Sequence, residues 1–579
     1  MFNKYYQEEL ECLRELGAEF SRANPQAAPF LAERGADPDV ERLLEGFAFL
    51  TGRLRQKLDD EFPELTQSLL QVLWPHYLRP VPAMSILQFE PLPNRVKAGQ
   101  TIARGAEVES VPVDGTSCRF RTCFDVHLAP LTVRSADLEI PSGSVGALRL
   151  GFRPLQGVKG APLGGAPLRL FLHGEPAATY ALYLYLTRYV KEVVVRPGSG
   201  EQRRLPPSAI RPAGFADSDG LLPYPARSFP GYRLLQEYFT LPEKFLFLEV
   251  NGIGGGAGEF DLIFDFTRPA DDSLRAGVEN FRLNCTPVVN LFQVQSDPLR
   301  VDHQRVEYRI RAEGLDPAHA EVFSVDRAVG WQKGTSDQRE FPAFESFHHG
   351  TAETSEDGIV YHAVRLRESV LDTGVDTQVA FVSATGESAA PPTETVVLDL
   401  TCTNRGLPAK LRVGDLSKAT GKSPQFAKFK NITAITPDTP PPLGPGLQWQ
   451  LISNLALNYL SLTTPEALRT VLSVYNFRAL RDRQVARAHE LRMGALQKLQ
   501  ATPDESFCNG APTRGTRIDL ELLEKNFAGE GEMVLFGSVL SEFLGLYCTL
   551  NSHTKLVVRG AENGEIYEWA SKTGQQPLV

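Results

Sequence analysis

The N-terminal segment and the rest of the chain follow different hydrophobic periods. From the N-terminus to about residue 78, apolar residues recur at every third or fourth position, which predicts amphipathic helices. Four prolines between residues 25 and 63 interrupt this pattern. Because proline breaks a helix, the segment is predicted to be an articulated helical arm and not one rod. The predicted apolar faces are Tyr6, Leu10, Leu13, Leu16 and Phe20; Leu43, Leu44, Phe47, Leu50, Leu54 and Leu58; and Phe62, Leu65, Leu69 and Leu73.

Beyond Pro82 the chain changes to short apolar or alternating runs separated by Gly, Pro, Asn and Asp. Such runs predict strands joined by turns. The uninterrupted apolar run Tyr180–Leu186 is assigned to a buried strand, and Arg233–Thr240 is assigned to a short amphipathic helix. Further helical patterns occupy Leu447–Leu462, Pro465–Tyr475 and Met533–Leu550.

These patterns predict an α+β protein with a helical N-terminal arm, several β-rich domains and a small C-terminal α+β unit. The 579 residues are enough for about three to four domains of roughly 150 residues each. We divide the chain into the arm (1–82), a β-rich domain (83–300), a second β-rich domain (301–433) and a final segment (434–579). The final segment begins with a proline-rich linker, Ala434–Gly446, and continues into helices and the C-terminal unit.

Charge and composition exclude several classes of function. A formal net charge of -10 argues against a general nucleic-acid binder. No run approaches the roughly 18 consecutive apolar residues of a membrane span, so no membrane insertion is expected. Charged residues such as Glu8 and Glu11 stand where a secretory signal needs apolar residues. The seven scattered cysteines favour reduced thiols, and therefore a cytoplasmic protein.

The search for catalytic and ligand-binding motifs assigns no such site. The stretch 414–423, GDLSKATGKS, resembles a phosphate loop, but Leu416 occupies the position of the required first glycine. Cys118, Cys123 and His127 lack the second ligand pair of a structural zinc site. No catalytic residue, cofactor or metal is therefore predicted. The alternative is a β-rich carbohydrate-active enzyme with an N-terminal helical module, whose paired carboxylates cannot be selected from sequence alone.

A basic run spans residues 478–492 and is diluted by Asp482 and Glu490. It is interpreted as a solvated helix face or as a contact to an acidic partner subunit. A turn is predicted at Asn404–Gly406, in which Gly406 takes a positive φ angle and Arg405 pairs with a carboxylate. The arginines of the basic run are Arg478, Arg481, Arg483, Arg487 and Arg492.

The arm carries aromatic side chains of the kind that is enriched in protein interfaces. On sequence alone these rings can equally pack against the β-rich part of the same chain. The candidate interface residues are Phe2, Tyr5, Tyr6, Trp74 and Tyr77.

Long strings along the whole chain resemble the TssF family, also called VasA or ImpG, of bacterial type VI secretion systems. They begin with MFNKYYQEEL (1–10) and ELGAEFSRANP (15–25) and continue through the segment 33–82. Further strings follow in the same order: GYRLLQEYFTLPEKFLF (231–247), NCTPVVNLF (284–292), CTNRGLP (402–408), WQLISNLALNYLSL (449–462), GSVLSEFLGLYCTLNSHTKL (537–556) and TGQQPL (573–578).

The resemblance implies a structural subunit of the type VI secretion baseplate wedge and no catalytic residue. It implies two copies of this chain assembling with one TssG, together with TssE and the adaptor TssK. Such wedges surround the VgrG spike and support polymerisation of the sheath and the Hcp tube. The resemblance also implies an architecture similar to contractile-phage baseplate wedge proteins, and a cytoplasmic position at the base of a membrane-anchored secretion complex.

Overall fold

The computed structural model of the chain describes residues 38–59 and most of residues 74–574, with parts of 6–20 and 67–71. Phe2, Tyr5 and the predicted helix Leu447–Leu462 lie outside the described residues. Within 74–574 the positions not described are 94, 97–99, 140–144, 157–162, 164, 199, 226–227, 255–257, 272–273, 302–304, 333–337, 345–359, 370–373, 383–393, 444–463, 509–510, 549 and 551.

The helices of the described part are α1 (Pro38–Asp59), α2 (Pro176–Arg188), α3 (Pro230–Thr240), α4 (Pro465–Val474), α5 (Arg483–Ala495) and α6 (Glu530–Leu546). The sequence pattern predicts helices at the places of α1, α3, α4 and α6. Helices α1 to α4 each begin with proline, whose fixed φ angle suits the first helical position. Asp482 caps α5, because its Oδ1 accepts hydrogen bonds from the backbone N–H groups of Gln484 and Val485.

Strands dominate the remainder, as predicted. In the first half they are β1 (Met84–Pro91), β2 (Thr101–Ile102), β3 (Glu107–Val113), β4 (Thr116–Thr122), β5 (Val126–His127), β6 (Leu131–Glu139), β7 (Ala147–Pro154), β8 (Leu168–Leu172), β9 (Val190–Pro197), β10 (Arg203–Leu205), β11 (Ile210–Ala213), β12 (Phe247–Val250), β13 (Phe260–Phe266), β14 (Phe281–Leu283) and β15 (Cys285–Val289). In the second half they are β16 (Phe292–Gln295), β17 (Leu299–Val301), β18 (Glu307–Arg309), β19 (Glu321–Gln332), β20 (Gln338–Glu340), β21 (Tyr361–Glu368), β22 (Val375–Val382), β23 (Glu394–Thr403), β24 (Ala427–Asn431), β25 (Leu496–Cys508), β26 (Ala511–Leu522), β27 (Ser552–Gly560), β28 (Ile566–Glu568) and β29 (Lys572–Thr573).

The larger sheets have the strand orders β24-β1-β15-β4-β3, β10-β9-β13-β7-β6, β11-β12-β8-β14, β16-β23-β19-β20, β18-β22-β21 and β25-β26-β27-β28. Strand β24, which the sequence assigns to the second β-rich domain, pairs with β1 of the first, with Phe89 opposite Phe429. The first sheet therefore joins segments that lie more than 300 residues apart in sequence. Such pairing is not visible in local patterning.

Three hydrophobic clusters follow this layout. The largest joins the base of the arm, the sheets built on β8 and β13, helices α2, α3 and α6, and the C-terminal sheet. A second lies between β1, β4 and the residues around Leu411. A third fills the space between the sheets of β19 and β22.

The prediction of a strand at Tyr180–Leu186 is wrong, because these residues form most of α2. The run is apolar on every side because α2 is buried all round, and a fully buried helix shows no amphipathic period. The start signal at Pro176 was the available clue. Helix α2 packs closely on α6, where a Cβ added at Gly531 would lie 2.0 Å from the Tyr180 carbonyl oxygen.

The predicted turn at residues 404–406 exists, but its conformation differs from the expectation. Gly406 has φ -76°, and the residue with positive φ is Arg405, at 52°. The Arg405 backbone N–H donates to Thr403 Oγ1 (3.1 Å), which holds this uncommon conformation. The Asn404 Oδ1 atom accepts hydrogen bonds from the backbone N–H of Arg119 and from Asn290 Nδ2, so the turn is tied to β4.

The predicted small C-terminal α+β unit is present. Strands β25 and β26 form an antiparallel hairpin, and β26 then pairs in parallel with β27 through the crossover helix α6. A parallel pair needs such a crossover connection. The unit is fastened to α5 by Arg492, whose Nε and Nη2 donate to Glu532 Oε1 at 2.9 and 2.6 Å.

Candidate interaction surface

Helix α1 of the arm has two unlike faces. Ala48 and Gly52 are buried and lie one turn apart, on the same face as Glu41. Glu41 forms an ion pair with Arg14 of the preceding helical residues, at 2.7 Å. Small buried residues and this ion pair indicate that this face packs within the arm.

The opposite face of α1 is apolar and exposed to solvent. Leu43, Phe47 and Leu50 are exposed to 74%, 58% and 61% and follow the i, i+4, i+7 spacing of one helix face. We call these three residues the outer face of α1. Soluble chains seldom leave a contiguous apolar stripe in water, so this face has the character of an interaction surface.

The two described aromatic candidates near the end of the arm are core residues of this chain. Trp74 is 6% exposed and Tyr77 is 1% exposed. The Trp74 ring stands edge-on to Tyr232, with centroids 5.1 Å apart, and the Tyr77 ring is edge-on to Phe477 at 4.9 Å. Their predicted contact to a partner stays a prediction, and so does that of the half-buried Tyr6.

Tyr475 and Tyr547 extend these contacts to the end of α6. We call the six side chains the aromatic junction: Trp74, Tyr77, Tyr232, Tyr475, Phe477 and Tyr547. Tyr232 is stacked on Tyr475, with centroids 4.6 Å apart and an interplanar angle of 9°. Its hydroxyl oxygen lies 2.6 Å from that of Tyr547, at the end of α6. The pKa of Tyr232 is raised by burial, so the hydroxyl stays protonated. The base of the arm thus packs on groups drawn from three distant parts of the sequence.

His76 is held neutral in the same junction. The Tyr224 hydroxyl donates its hydrogen to the Phe229 carbonyl (2.9 Å), so His76 Nε2 must carry the hydrogen of its 3.0 Å contact to the Tyr224 oxygen. Burial, with a smaller contribution from the charge of Arg79, lowers the pKa of His76 to about 3. The imidazole acts as a neutral donor that fixes the segment 74–78.

Two glutamines, which the sequence analysis did not select, dock the arm onto a β-sheet. Gln67 Nε2 donates to the Leu366 carbonyl (3.2 Å), and the Leu366 N–H donates to Gln67 Oε1 (3.3 Å). Gln71 Nε2 donates to the carbonyl of Val364. Gln67 and Gln71 are one helical turn apart, and Val364 and Leu366 are alternate residues of β21. The side-chain amides therefore act as strand-like partners for the edge strand β21.

The phosphate-loop-like stretch is a polar turn packed on β3. Glu109 and Lys418 exchange two backbone hydrogen bonds of 3.0 Å. Lys422 Nζ donates to Glu107 Oε1 (2.7 Å), and Ser423 Oγ donates to the Glu107 carbonyl (2.6 Å). Its lysine and hydroxyl groups are thus engaged with the same chain.

The candidate metal ligands of the sequence are two buried thiols, Cys118 and Cys123, and one surface imidazole, His127. Burial raises the pKa of the Cys118 thiol to about 11 and that of Cys123 to about 12. His127 contacts Thr101 Oγ1 at the surface. Within the described residues no group of three His, Cys, Asp or Glu side chains is placed to hold a metal ion. No helix in the described part is long and apolar enough to cross a membrane.

Some arginines of the basic run contact the interior of the chain, and others are exposed to solvent. Arg492 turns inward to Glu532, and Arg478 Nη1 donates to the Thr240 carbonyl (3.3 Å). Arg483 and Arg487 are exposed on α5. Part of the run therefore serves internal packing. For Arg483 and Arg487 both interpretations stay predictions: a solvated helix face, or a contact to an acidic partner subunit.

Known proteins are similar to this chain over nearly its whole length. The family model described as "Type VI secretion system, TssF" matches residues 1–576. The type VI secretion system component TssF1 of Pseudomonas aeruginosa strain PAO1 is 33% identical over 624 aligned residues, covering 99% of each chain.

Two solved structures share the fold. One chain, from the TssK-TssF-TssG baseplate subcomplex, is 31% identical with a TM-score of 0.76, covering 93% of this chain and 99% of that chain. Another, from the baseplate complex of the type VI secretion system, is 27% identical with a TM-score of 0.64, covering 100% of both. The fold is that of a type VI secretion baseplate protein. This chain belongs to the TssF family.

Proposed function

We propose that this chain is a structural subunit of the baseplate wedge, in which two copies assemble with one TssG. The observation that carries the proposal is the exposed outer face of α1 on a chain whose whole fold is similar to that of a TssK-TssF-TssG subcomplex chain. A structural subunit needs an apolar surface that is exposed in the isolated chain and is buried when a partner binds. The outer face of α1 has this property.

The energetics of the outer face favour docking of another helix. Burying one large apolar side chain contributes about 1.5–3 kcal/mol, so Leu43, Phe47 and Leu50 together offer a substantial driving force. Leu16 and Phe20 on the first helical segment are also more than half exposed. An amphipathic helix of TssG, with anchors at i, i+4 and i+7, is the complement that this stripe requires.

The aromatic junction and the two glutamines attach the end of the arm to the rest of the chain. Gln67, Gln71, Trp74 and Tyr77 are fixed to the body of the chain, whereas α1 presents its outer face. A change in the packing between wedge subunits is then the physical basis for triggering the sheath.

The remaining partners follow from the same proposal. A wedge of this kind contacts the adaptor TssK and TssE and surrounds the VgrG spike. It supports polymerisation of the sheath and the Hcp tube at the cytoplasmic base of a membrane-anchored complex. No catalytic activity is part of the proposal.

The test is native mass spectrometry of this chain co-expressed with TssG and TssK. We expect a stable species with two copies of this chain per TssG, which dissociates to lower copy numbers only at high collision energy. A one-to-one species, or this chain alone in all preparations, would contradict the proposed stoichiometry.

A further inference from the structure

A cavity of about 510 Å³ lies between α3, the end of α6 and β29. Its volume is within the range of about 300–1,000 Å³ that is typical of ligand-binding sites. Phe215, Leu234 and Leu546 give the cavity an apolar wall, and six charged side chains also line it. These six side chains form three ion pairs, which differ in burial and in geometry.

Two of the three ion pairs are compensated within the chain. The Glu237 carboxylate is fully buried, and its Oε1 accepts two backbone N–H groups at 2.7 and 3.0 Å. Its Oε2 accepts a hydrogen bond from Lys244 Nζ, which is also buried. On the opposite wall, Lys572 Nζ donates to Glu542 Oε1 at 2.5 Å. Because these four charges have close partners, they are poor candidates for binding a ligand.

The third pair, between Arg233 and Asp217, is the weakest. Arg233 Nη2 lies 3.3 Å from Asp217 Oδ1 and 3.2 Å from the Asp217 carbonyl oxygen. Charge-assisted hydrogen bonds are usually shorter, at about 2.7–2.9 Å. The Arg233 side chain is 16% exposed, whereas that of Asp217 is 78% exposed. Of the six charged groups, the Arg233 guanidinium is therefore the one whose counter-ion faces solvent and can be replaced.

The chain holds the Arg233 guanidinium in place. It lies over the Tyr224 ring, 5.7 Å from the ring centroid. On another side the backbone is close, since a Cβ added at Gly220 would lie 2.6 Å from Arg233 Nη1. The Arg233 Nε atom is 4.0 Å from Glu237 Oε1, which is too far for a hydrogen bond. A planar guanidinium that is already ordered loses little conformational entropy when it binds a carboxylate.

We propose that this cavity binds an acidic segment of a partner polypeptide. A carboxylate of the segment pairs with Arg233 in place of Asp217, and an adjacent apolar side chain packs on the wall of Phe215, Leu234 and Leu546. A carboxylate carries one negative charge, as Asp217 does, so the exchange preserves the charge balance of the cavity. A phosphate group carries about 1.5–2 negative charges at pH 7 and would leave an excess. The site is distinct from the outer face of α1.

Titration of the full-length chain with two capped peptides tests the proposal. The peptides are acetyl-Leu-Glu-Leu-amide and acetyl-Leu-Gln-Leu-amide, which differ only in the charge of the central side chain. Ligand-observed nuclear magnetic resonance at constant ionic strength gives the dissociation constants. We expect saturable binding of the glutamate peptide and binding of the glutamine peptide that is weaker by about tenfold or more. Inorganic phosphate at the same concentration should displace the glutamate peptide poorly.

Variants of the Arg233–Asp217 pair locate the binding. Asp217→Asn removes the competing carboxylate, so we expect the glutamate peptide to bind about two- to fivefold more tightly. For Arg233→Gln we expect binding about tenfold weaker. Glu466→Gln is the matched control, because it also removes an exposed carboxylate beside an arginine, Arg469, but lies outside the cavity. Its affinity should equal that of the wild type.

The proposal would be overturned by equal affinity for the two peptides, or by the absence of saturable binding. Unchanged affinity in Asp217→Asn, or a change as large in Glu466→Gln, would also overturn it. Displacement by phosphate as effective as by the peptide would indicate a general anion site instead. If Arg233→Gln does not keep the circular dichroism of the wild type, Asp217→Asn alone decides. These measurements use the isolated chain, so they stand apart from the success or failure of wedge assembly.

Discussion

The indole of Trp74 stands edge-on against the ring of Tyr232, with centroids 5.1 Å apart and an interplanar angle of 88°. This contact ties the last residues of the arm to α3, because Tyr232 belongs to that helix and is stacked on Tyr475 as well. Edge-to-face pairs of buried aromatic rings stabilise a fold beyond the area that they bury. The end of the arm is thus part of the main hydrophobic core.

Removing the Trp74 ring should be costly. For Trp74→Ala we expect the free energy of unfolding to fall by about 3–5 kcal/mol, because the change leaves a cavity in the core. Denaturant unfolding followed by circular dichroism measures the loss. The control is Trp331→Ala at a partly exposed site, where we expect a loss below about 1 kcal/mol. Equal losses in both variants would contradict the assignment of Trp74 to the core.

The glutamine contacts predict a local change in the sheet of β21. For the double variant Gln67→Ala, Gln71→Ala we expect a loss of about 0.5–1.5 kcal/mol per hydrogen bond. The amide of Leu366, which donates to Gln67 Oε1, should exchange faster with deuterium. Gln295→Ala, which removes an exposed contact to Asp399, is the control and should leave exchange in β21 unchanged.

His76 predicts an acid-sensitive junction. Its pKa in the folded chain is about 3, below the ordinary 6.5, so the unfolded chain takes up the proton first as the pH falls. This contribution to the free energy of unfolding is complete above about pH 6.5 and falls progressively towards pH 3. The loss amounts to about 2–3 kcal/mol at pH 4.5.

The variant His76→Gln keeps a side-chain N–H donor but does not titrate. We expect its thermal unfolding midpoint to fall less between pH 7 and pH 4.5 than that of the wild type. The exposed His127 supplies the control, and His127→Gln should keep the wild-type slope. An unchanged slope in His76→Gln would show that the imidazole is not held neutral by burial.

Local patterning was sufficient for much of the fold. Helix α1, helix α3 and most strands follow directly from apolar spacing and from proline or glycine boundaries, because these signals act over a few residues. Helix α2 was mispredicted because its surroundings bury every side. The pairing of β24 with β1 depends on contacts between distant segments, which local period does not encode.

The candidate interaction surface was likewise predictable from the sequence only in part. The apolar period predicted that Leu43, Phe47 and Leu50 share a face, and the structure places that face in solvent. The period could not say whether Trp74 and Tyr77 point to the body, since that depends on Tyr232 and Phe477 far along the chain. Gln67 and Gln71 carried no signal, because a polar residue on a helix is ordinarily solvated.

The most direct test of the central claim is replacement of the outer face of α1. We would compare TssG co-purification for the wild type and for the triple variant Leu43→Ser, Phe47→Ser, Leu50→Ser. The control is a variant with serine at Val413, Leu550 and Ile566, which are also about half exposed but lie outside the arm. We predict that the α1 variant keeps the circular dichroism and unfolding midpoint of the wild type but loses TssG, whereas the control retains it. Retention of TssG by the folded α1 variant would contradict the claim that this face is the docking surface.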